Sequence, residues 1–150
     1  MGSAFRNCSK LQSINLANIT SIFAYAFYNC YSLSNISASS VLLVGNYAFA
    51  YCSSLTSISL PALTSLLGSY AFSNCIALES VYLLGTTIPT TVSATPFIST
   101  PLDNSTYLGY YGSIYVRESL LASWQTKANI SAYSARMVGL TDAQIAALNS

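Results

Sequence analysis

The sequence predicts a repeat solenoid: a right-handed stack of about four coils whose strands form a parallel β ladder, with a small α+β cap on its C-terminal side. Three features carry this prediction: a repeat of 22 or 23 residues, an alternation of apolar and polar residues inside each copy, and the decay of the repeat after Leu84. The length of 150 residues suits one structural domain.

The repeat is marked by an Ala-Phe pair at positions 4–5, 26–27, 48–49 and 71–72. Each pair is followed at fixed offsets by Cys, by Leu and by Ile or Val, so the landmarks advance in register. We expect the first three landmarks to form a buried core ladder of Phe5, Phe27, Phe49 and Phe72, of Cys8, Cys30, Cys52 and Cys75, and of Leu11, Leu33, Leu55 and Leu78.

A strand is predicted at the same place in every copy, from the pattern L-x-x-I-x-L. Two apolar side chains two residues apart point to one face of a pleated strand. The equivalent strands are expected at 13–17, 35–39, 57–61 and 80–84. A unit of about 22 residues cannot bury its apolar face alone, so each strand should pair with the next in a parallel ladder.

The run Ala26-Phe27-Tyr28-Asn29-Cys30-Tyr31-Ser32-Leu33-Ser34-Asn35-Ile36, with its copies, resembles the BspA-type (Treponema pallidum-type) leucine-rich repeats, from residue 4 to about 88. The segment Ser113-Ile114-Tyr115-Val116, a helical stretch and Ser131-Ala132-Tyr133 resemble the module that ends such arrays. Arg117 stands where that module usually has Pro, and Trp124 where Tyr is common. The resemblance implies a surface-attached or secreted protein of bacteria, protozoa or phages that adheres to host proteins or other cells.

We therefore assign residues 1–88 to the repeats, 89–140 to a capping module packed on the last repeat, and 141–150 to a short helix or tail. Residues 85–112 are rich in Thr, Ser, Gly and Pro and are expected to be irregular, with Phe97 a relic of the repeat. A strand at 114–116 should precede a helix that Ser119 caps. The pattern Thr141-Asp142-Ala143-Gln144 is a capping box that opens the last helix.

Composition excludes several classes of protein. Hydrophobic residues make up 53% of the chain and charged residues only 6%, which excludes disorder. No apolar run approaches the roughly 18 residues that a transmembrane helix needs. No basic stripe suits nucleic acid, because the basic residues lie near the two ends: Arg6, Lys10, Arg117, Lys127 and Arg136. Met1-Gly2-Ser3 is not a signal peptide; we interpret it as an expression remnant on a truncated fragment.

The sequence indicates neither an enzyme nor a cofactor site. The chain has no His, and its four carboxylates are scattered at positions 79, 103, 118 and 142. No glycine-rich phosphate loop is present. The four cysteines allow disulfides, a metal site or buried thiols. Buried thiols are favoured, because Cys is among the most buried residue types, and a zinc site would need paired Cys or His spacing.

The polar side of the predicted strands remains as a candidate binding face. Its residues are Ser13, Asn15, Asn35, Ser37, Ser57, Ser59, Ser80 and Tyr82. They suit a protein or glycan partner, but they also suit a sheet face that is merely hydrated. Tyr25, Tyr47 and Tyr70 precede Ala-Phe and could belong to the core or to the surface. The functional prediction is a binding or adhesion module. The alternative is a structural protein whose copies assemble end to end into a filament, such as a cell-surface or phage tail fibre.

Overall fold

The computed structural model describes residues 2–103, 111–148 and 150. Its strands are β1 (Ser13–Asn15), β2 (Ser21–Ile22), β3 (Asn35–Ser37), β4 (Leu43–Val44), β5 (Ser57–Ser59), β6 (Leu66–Leu67), β7 (Ser80–Leu83), β8 (Thr91–Val92), β9 (Ser113–Arg117) and β10 (Met137–Leu140). Two α-helices follow β9 and β10, respectively: α1 (Leu121–Thr126) and α2 (Asp142–Leu148). All the strand pairs are parallel, as a stack of equivalent repeats requires.

The strands form three sheets: β1-β3, β10-β9-β7-β5 and β2-β4-β6-β8. Pairing joins equivalent residues of neighbouring repeats, such as Ile14 with Ile36 and Ile58 with Val81. The sequence predicts one continuous ladder, but in the structure this ladder is interrupted, because β3 and β5 belong to different sheets. A parallel pair of three-residue strands exchanges few hydrogen bonds, so a small change of stagger opens it. The third sheet was not predicted as strands, although Ile22, Val44 and Leu67 recur in the sequence.

A turn segment joins β2 to β3, β4 to β5 and β6 to β7, and its backbone hydrogen bonds alternate. The N–H groups of Tyr25, Phe27 and Asn29 donate to carbonyls one repeat further on, at 2.8–3.1 Å. The N–H groups of residues 26, 28 and 30 donate three residues back within the turn. Tyr25 and Asn29 have positive φ values of 58° and 62°. These left-handed residues accompany the alternation that satisfies every donor from residue 25 to residue 30.

The core is a column of aromatic rings surrounded by aliphatic side chains. Phe5, Phe27, Phe49, Phe72 and Phe97 stack in that order, with ring centroids 5.2–5.5 Å apart. Within the ladder expected from the sequence, nine side chains are buried: Phe27, Phe49, Phe72, Cys30, Cys52, Cys75, Leu33, Leu55 and Leu78.

The expected burial of the first repeat was wrong. Phe5 is 39% exposed, and Cys8 and Leu11 are only half-buried. Within the described chain, the second repeat packs against these side chains on one side, whereas Phe27 and Phe49 have a repeat on both sides.

The repeat geometry continues past residue 88. Strand β8 pairs with β6, and Phe97 takes the next place in the ring column. The Pro96 carbonyl accepts the N–H of Phe72 at 2.9 Å, as Ala71 does for Phe49 at 2.8 Å. Phe97 is therefore a buried ring of the column that stacks on Phe72 as the repeat phenylalanines stack on one another.

The C-terminal residues extend the same architecture. Strand β9 pairs with β7, and β10 pairs with β9. Trp124 in α1 and Tyr133 in a 3₁₀ segment (Ser131–Arg136) are buried. The rings of Tyr133 and Phe97 form an edge-to-face pair, with centroids 5.5 Å apart. Ser119 is not the helix cap, because it lies within a 3₁₀ turn, Glu118–Leu120.

The capping box of α2 forms as predicted. The Thr141 hydroxyl accepts the N–H of Gln144 at 3.3 Å, and the Gln144 side-chain oxygen accepts the N–H of Thr141 at 2.9 Å. Among the described residues, none of the helices has the length and apolar character needed to span a membrane.

Candidate binding surfaces

The predicted binding face is the outward side of β1, β3, β5 and β7. Pairing aligns its residues in register: Ser13 with Asn35, Asn15 with Ser37, Ser57 with Ser80 and Ser59 with Tyr82. The first three strands expose all their members of this set, whereas the two on β7 are half-buried. Because β3 and β5 are in different sheets, the face consists of two parts, one on β1 and β3 and one on β5 and β7. The residues are aligned within each part.

The C-terminal helix gives the second part of this face a concave shape. A groove of about 320 Å³ is lined by Ser59, Tyr82, Leu84 and Leu148, the last residue of α2. Tyr82 stacks on Tyr115 of β9, with ring centroids 4.7 Å apart. The groove therefore combines hydroxyl groups, one aromatic ring and aliphatic carbon, a mixture common at protein contact surfaces.

A second surface lies on the turn segments. Tyr25, Tyr47 and Tyr70 stack with ring centroids 5.1 and 5.0 Å apart. Tyr28 meets Tyr25 edge-on, and Tyr51 meets Tyr28 edge-on. We call these five residues the tyrosine strip. Tyr51 is 38% exposed and the other four are half-buried. The open question whether the three recurring tyrosines face the core or the surface is thereby answered: they form a partly exposed stack outside the phenylalanine column.

The tyrosine strip carries little charge. Arg6 lies over the rings of Tyr25 and Tyr28, 5.5 and 5.1 Å from their centroids, and is a cation–π partner of both. Partial desolvation, together with the neighbouring tyrosines, raises the pKa of Tyr47 above its usual value. Its phenol is protonated at neutral pH, as an unperturbed tyrosine also is, and it can donate a hydrogen bond.

Sequence reasoning missed Tyr28, Tyr51 and Arg6 as part of a surface. They do not recur: the residue equivalent to Tyr28 is Ala50 in the next repeat, and the residue equivalent to Tyr51 is Asn29 in the previous one. A search for fixed offsets therefore cannot find them, and only the stacking of the turns brings them together.

The cysteine ladder is structural. The thiols of Cys30, Cys52 and Cys75 donate to the carbonyls of Phe5, Phe27 and Phe49 at 3.0–3.3 Å. The four cysteines are free thiols. Burial, reinforced by the thiol of Cys52, raises the pKa of Cys30 to about 12, so this group is neutral and poorly nucleophilic.

The carboxylates have individual surroundings. Glu79 is exposed, Asp103 accepts the N–H of Ser99 at 3.1 Å, and Asp142 pairs with Arg117. In the part of the chain that the structure describes, no three residues of the His, Cys, Asp or Glu types come together as a metal site.

Parallel strands that advance by one repeat, with Phe, Cys and Leu turned inward, define a leucine-rich repeat protein. A family model described as a BspA-type leucine-rich repeat region matches residues 2–99 in six copies. The chain therefore belongs to the BspA-type leucine-rich repeat family. Proteins of this family are often surface-associated and typically non-enzymatic, and their repeats generally mediate protein interactions. A comparison with curated proteins gives no match.

Proposed function

We propose that this chain is a non-catalytic binding and adhesion module of a surface-exposed or secreted protein. In this proposal the repeats form a right-handed solenoid of about four coils. Residues 89–140, whose first part continues the repeat geometry through β8 and Phe97, cap its C-terminal side, and residues 141–150 are a short helix or tail. The module binds protein or glycan partners through Ser13, Asn15, Asn35, Ser37, Ser57, Ser59, Ser80 and Tyr82.

The observation that carries the proposal is the alignment of uncharged polar side chains across neighbouring strands. Ser13 and Asn35, or Ser57 and Ser80, hold equivalent positions one repeat apart. A partner with its own regular spacing can therefore meet several of them at once, as extended repeat surfaces permit. The groove beside Leu148 supplies an apolar contact at one end of this face.

The test is an array of glycans and extracellular matrix proteins, probed with the chain and two variants. Ser37→Arg and Ser59→Arg place a long charged side chain on the face, where both serines are exposed. Thr20→Arg is the matched control, since Thr20 is exposed beside β2, in the β2-β4-β6-β8 sheet outside the proposed face. We expect saturable binding by the chain, at least tenfold weaker binding by the two face variants, and no change for the control. Absence of saturable binding to every ligand would contradict the proposal.

A second candidate function, self-assembly end to end, is favoured by the first repeat. Phe5, Ile19 and Phe23 are 39%, 43% and 49% exposed. Together with Leu16 and Ile22 they line an apolar pocket of about 160 Å³. Such a face associates readily with another apolar face, and head-to-tail contacts generate open filaments.

Light scattering after size exclusion, over a range of concentrations, tests the second candidate. Growth of the mass with concentration, reduced by Phe23→Ser, would support assembly through this face. A constant mass near 16.0 kDa would leave the binding module alone.

A further inference from the structure

We propose that the tyrosine strip is a second binding surface, whose ligand is an extended, uncharged, β-1,4-linked polysaccharide. This inference rests on the proposed binding function and goes beyond it. It uses the turn segments instead of the strand face, and it names one ligand class.

The first argument is the backbone at the three stacked tyrosines. Tyr25, Tyr47 and Tyr70 have φ values of 58°, 55° and 56°. The left-handed region disfavours bulky side chains and suits Gly or Asn. The other left-handed position of the turn holds Asn29 and Asn74, but it also holds Tyr51, at φ 64°. Turn geometry alone therefore does not account for tyrosine here, and backbone strain of this kind often accompanies function.

The second argument is what the stack offers to a ligand. Each ring covers the face of its neighbour, so solvent meets mainly ring edges and hydroxyl groups. Within the described residues, no hydrogen bond occupies the hydroxyls of Tyr25, Tyr47 or Tyr70. A phenol both donates and accepts. The strip is thus a row of free hydrogen-bonding groups whose rings are 5.0–5.1 Å apart.

The spacing and the charge select the ligand class. An extended β-1,4-linked chain advances by nearly the same distance per sugar ring, so successive sugars can reach successive tyrosines. Sugar hydroxyls are both donors and acceptors, as the phenols are. Arg6 is the one cation that lies over rings of the strip among the described residues, and a polyanion would need several cations in a row. An uncharged polysaccharide therefore fits better than a sulfated or phosphorylated one.

A proline-rich peptide is the alternative that the geometry disfavours. Such peptides dock in aromatic-lined grooves, where they use ring surfaces. The ring faces of Tyr47 are occupied on both sides by Tyr25 and Tyr70. The peptide would also leave the acceptor side of each phenol unused, because proline lacks an N–H.

The test is isothermal titration of the whole chain with cellohexaose, chitohexaose and β-1,4-mannohexaose, with α-linked maltohexaose as the linkage control. The test variant combines Tyr25→Phe, Tyr47→Phe and Tyr70→Phe, which keeps the rings and removes the hydroxyls. The matched control combines Tyr31→Phe and Tyr111→Phe, two exposed tyrosines that belong to neither the strip nor the strand face. Circular dichroism melting checks that both variants fold.

We expect at least one β-linked hexasaccharide to bind, maltohexaose not to bind, the strip variant to lose at least tenfold in affinity, and the control variant to bind unchanged. Binding of none of the three, or equal binding by the strip variant, overturns the inference. A strip that binds a proline-rich peptide and none of the sugars overturns the ligand class. The matrix-protein and glycan array separates the proposals, because binding there that depends on Ser37 and Ser59 would leave the proposed function standing without the tyrosine strip.

Discussion

Replacing Phe49 by Ala tests whether the ring column holds the repeats together. Phe49 is fully buried and stacks on Phe27 at 5.2 Å and on Phe72 at 5.3 Å. Its truncation therefore opens a cavity in the middle of the column and removes two stacked pairs at once.

The expected loss follows from those contacts. A buried Phe→Ala change costs roughly 3–5 kcal/mol. Because a stacked pair contributes about 0.5–1.5 kcal/mol beyond area burial and two pairs are lost, we expect the upper part of that range, about 4–5 kcal/mol. Phe5→Ala is the control within the same column. Phe5 is 39% exposed and stacks on one described ring, so we expect about 1–2 kcal/mol, scaled from the same range.

The assay is urea unfolding followed by circular dichroism. The slope of the unfolding free energy against urea concentration is compared between the chain and both variants. An unchanged slope with a lower midpoint reports lost stability. A changed slope would indicate that the neighbouring repeats no longer unfold together, as linear repeat arrays allow. The reasoning would be refuted by a loss below about 0.5 kcal/mol for Phe49→Ala, far under the range for a buried ring, or by equal losses for the two variants.

Three further predictions concern the backbone, the thiols and the ion pair of Arg117 with Asp142. Gly68→Ala should cost about 1–3 kcal/mol in urea unfolding, because a Cβ there would lie 2.4 Å from the Gly45 carbonyl carbon. Stability should fall as the pH rises from about 9 toward 12, since burial raises the pKa of Cys30 from 9.0 to about 12 and only the unfolded thiol ionises in that interval; urea midpoints at pH 8 and pH 10.5 measure the fall. Asp142→Asn should change the unfolding free energy by no more than about 1 kcal/mol, because the carboxylate that pairs with Arg117 is 87% exposed; a larger thermal shift would contradict this.

The parts of the fold that were predictable are those in which a side chain type recurs at one structural position in every repeat. The offsets of Phe, Cys and Leu identify an inward position in each turn, and L-x-x-I-x-L identifies a strand. The end of the array was harder to predict. Pro96 replaces the Ala of the Ala-Phe pair, yet its carbonyl still accepts the N–H of Phe72 at 2.9 Å. The backbone bond needs no particular side chain, so the repeat continues structurally where its sequence pattern has decayed.

The two surfaces differ in how far the sequence predicts them. The alternation within a strand predicts that Ser37 or Ser59 faces outward, and both are exposed. The tyrosine strip depends on contacts between different repeats, such as the edge contact of Tyr28 with Tyr51 at 5.4 Å. Such a contact depends on how neighbouring turns stack, and two side chains at different offsets leave no periodic trace in the sequence.

The turns also show where a repeat of this kind is free to vary. Core positions are constrained by volume, as the ring column is, and the left-handed positions are constrained by φ. A single serine on a strand face also suits a sheet that is merely hydrated, so Ser37 or Ser59 selects a ligand only through its alignment with the neighbouring strand. Tyrosine at φ 55° is disfavoured by its backbone, and stacking with two neighbouring rings contributes a stabilisation of comparable size. A residue that the backbone disfavours says more about function than one that it would accept anyway, and for this reason the tyrosine strip is the sharper of the two binding hypotheses.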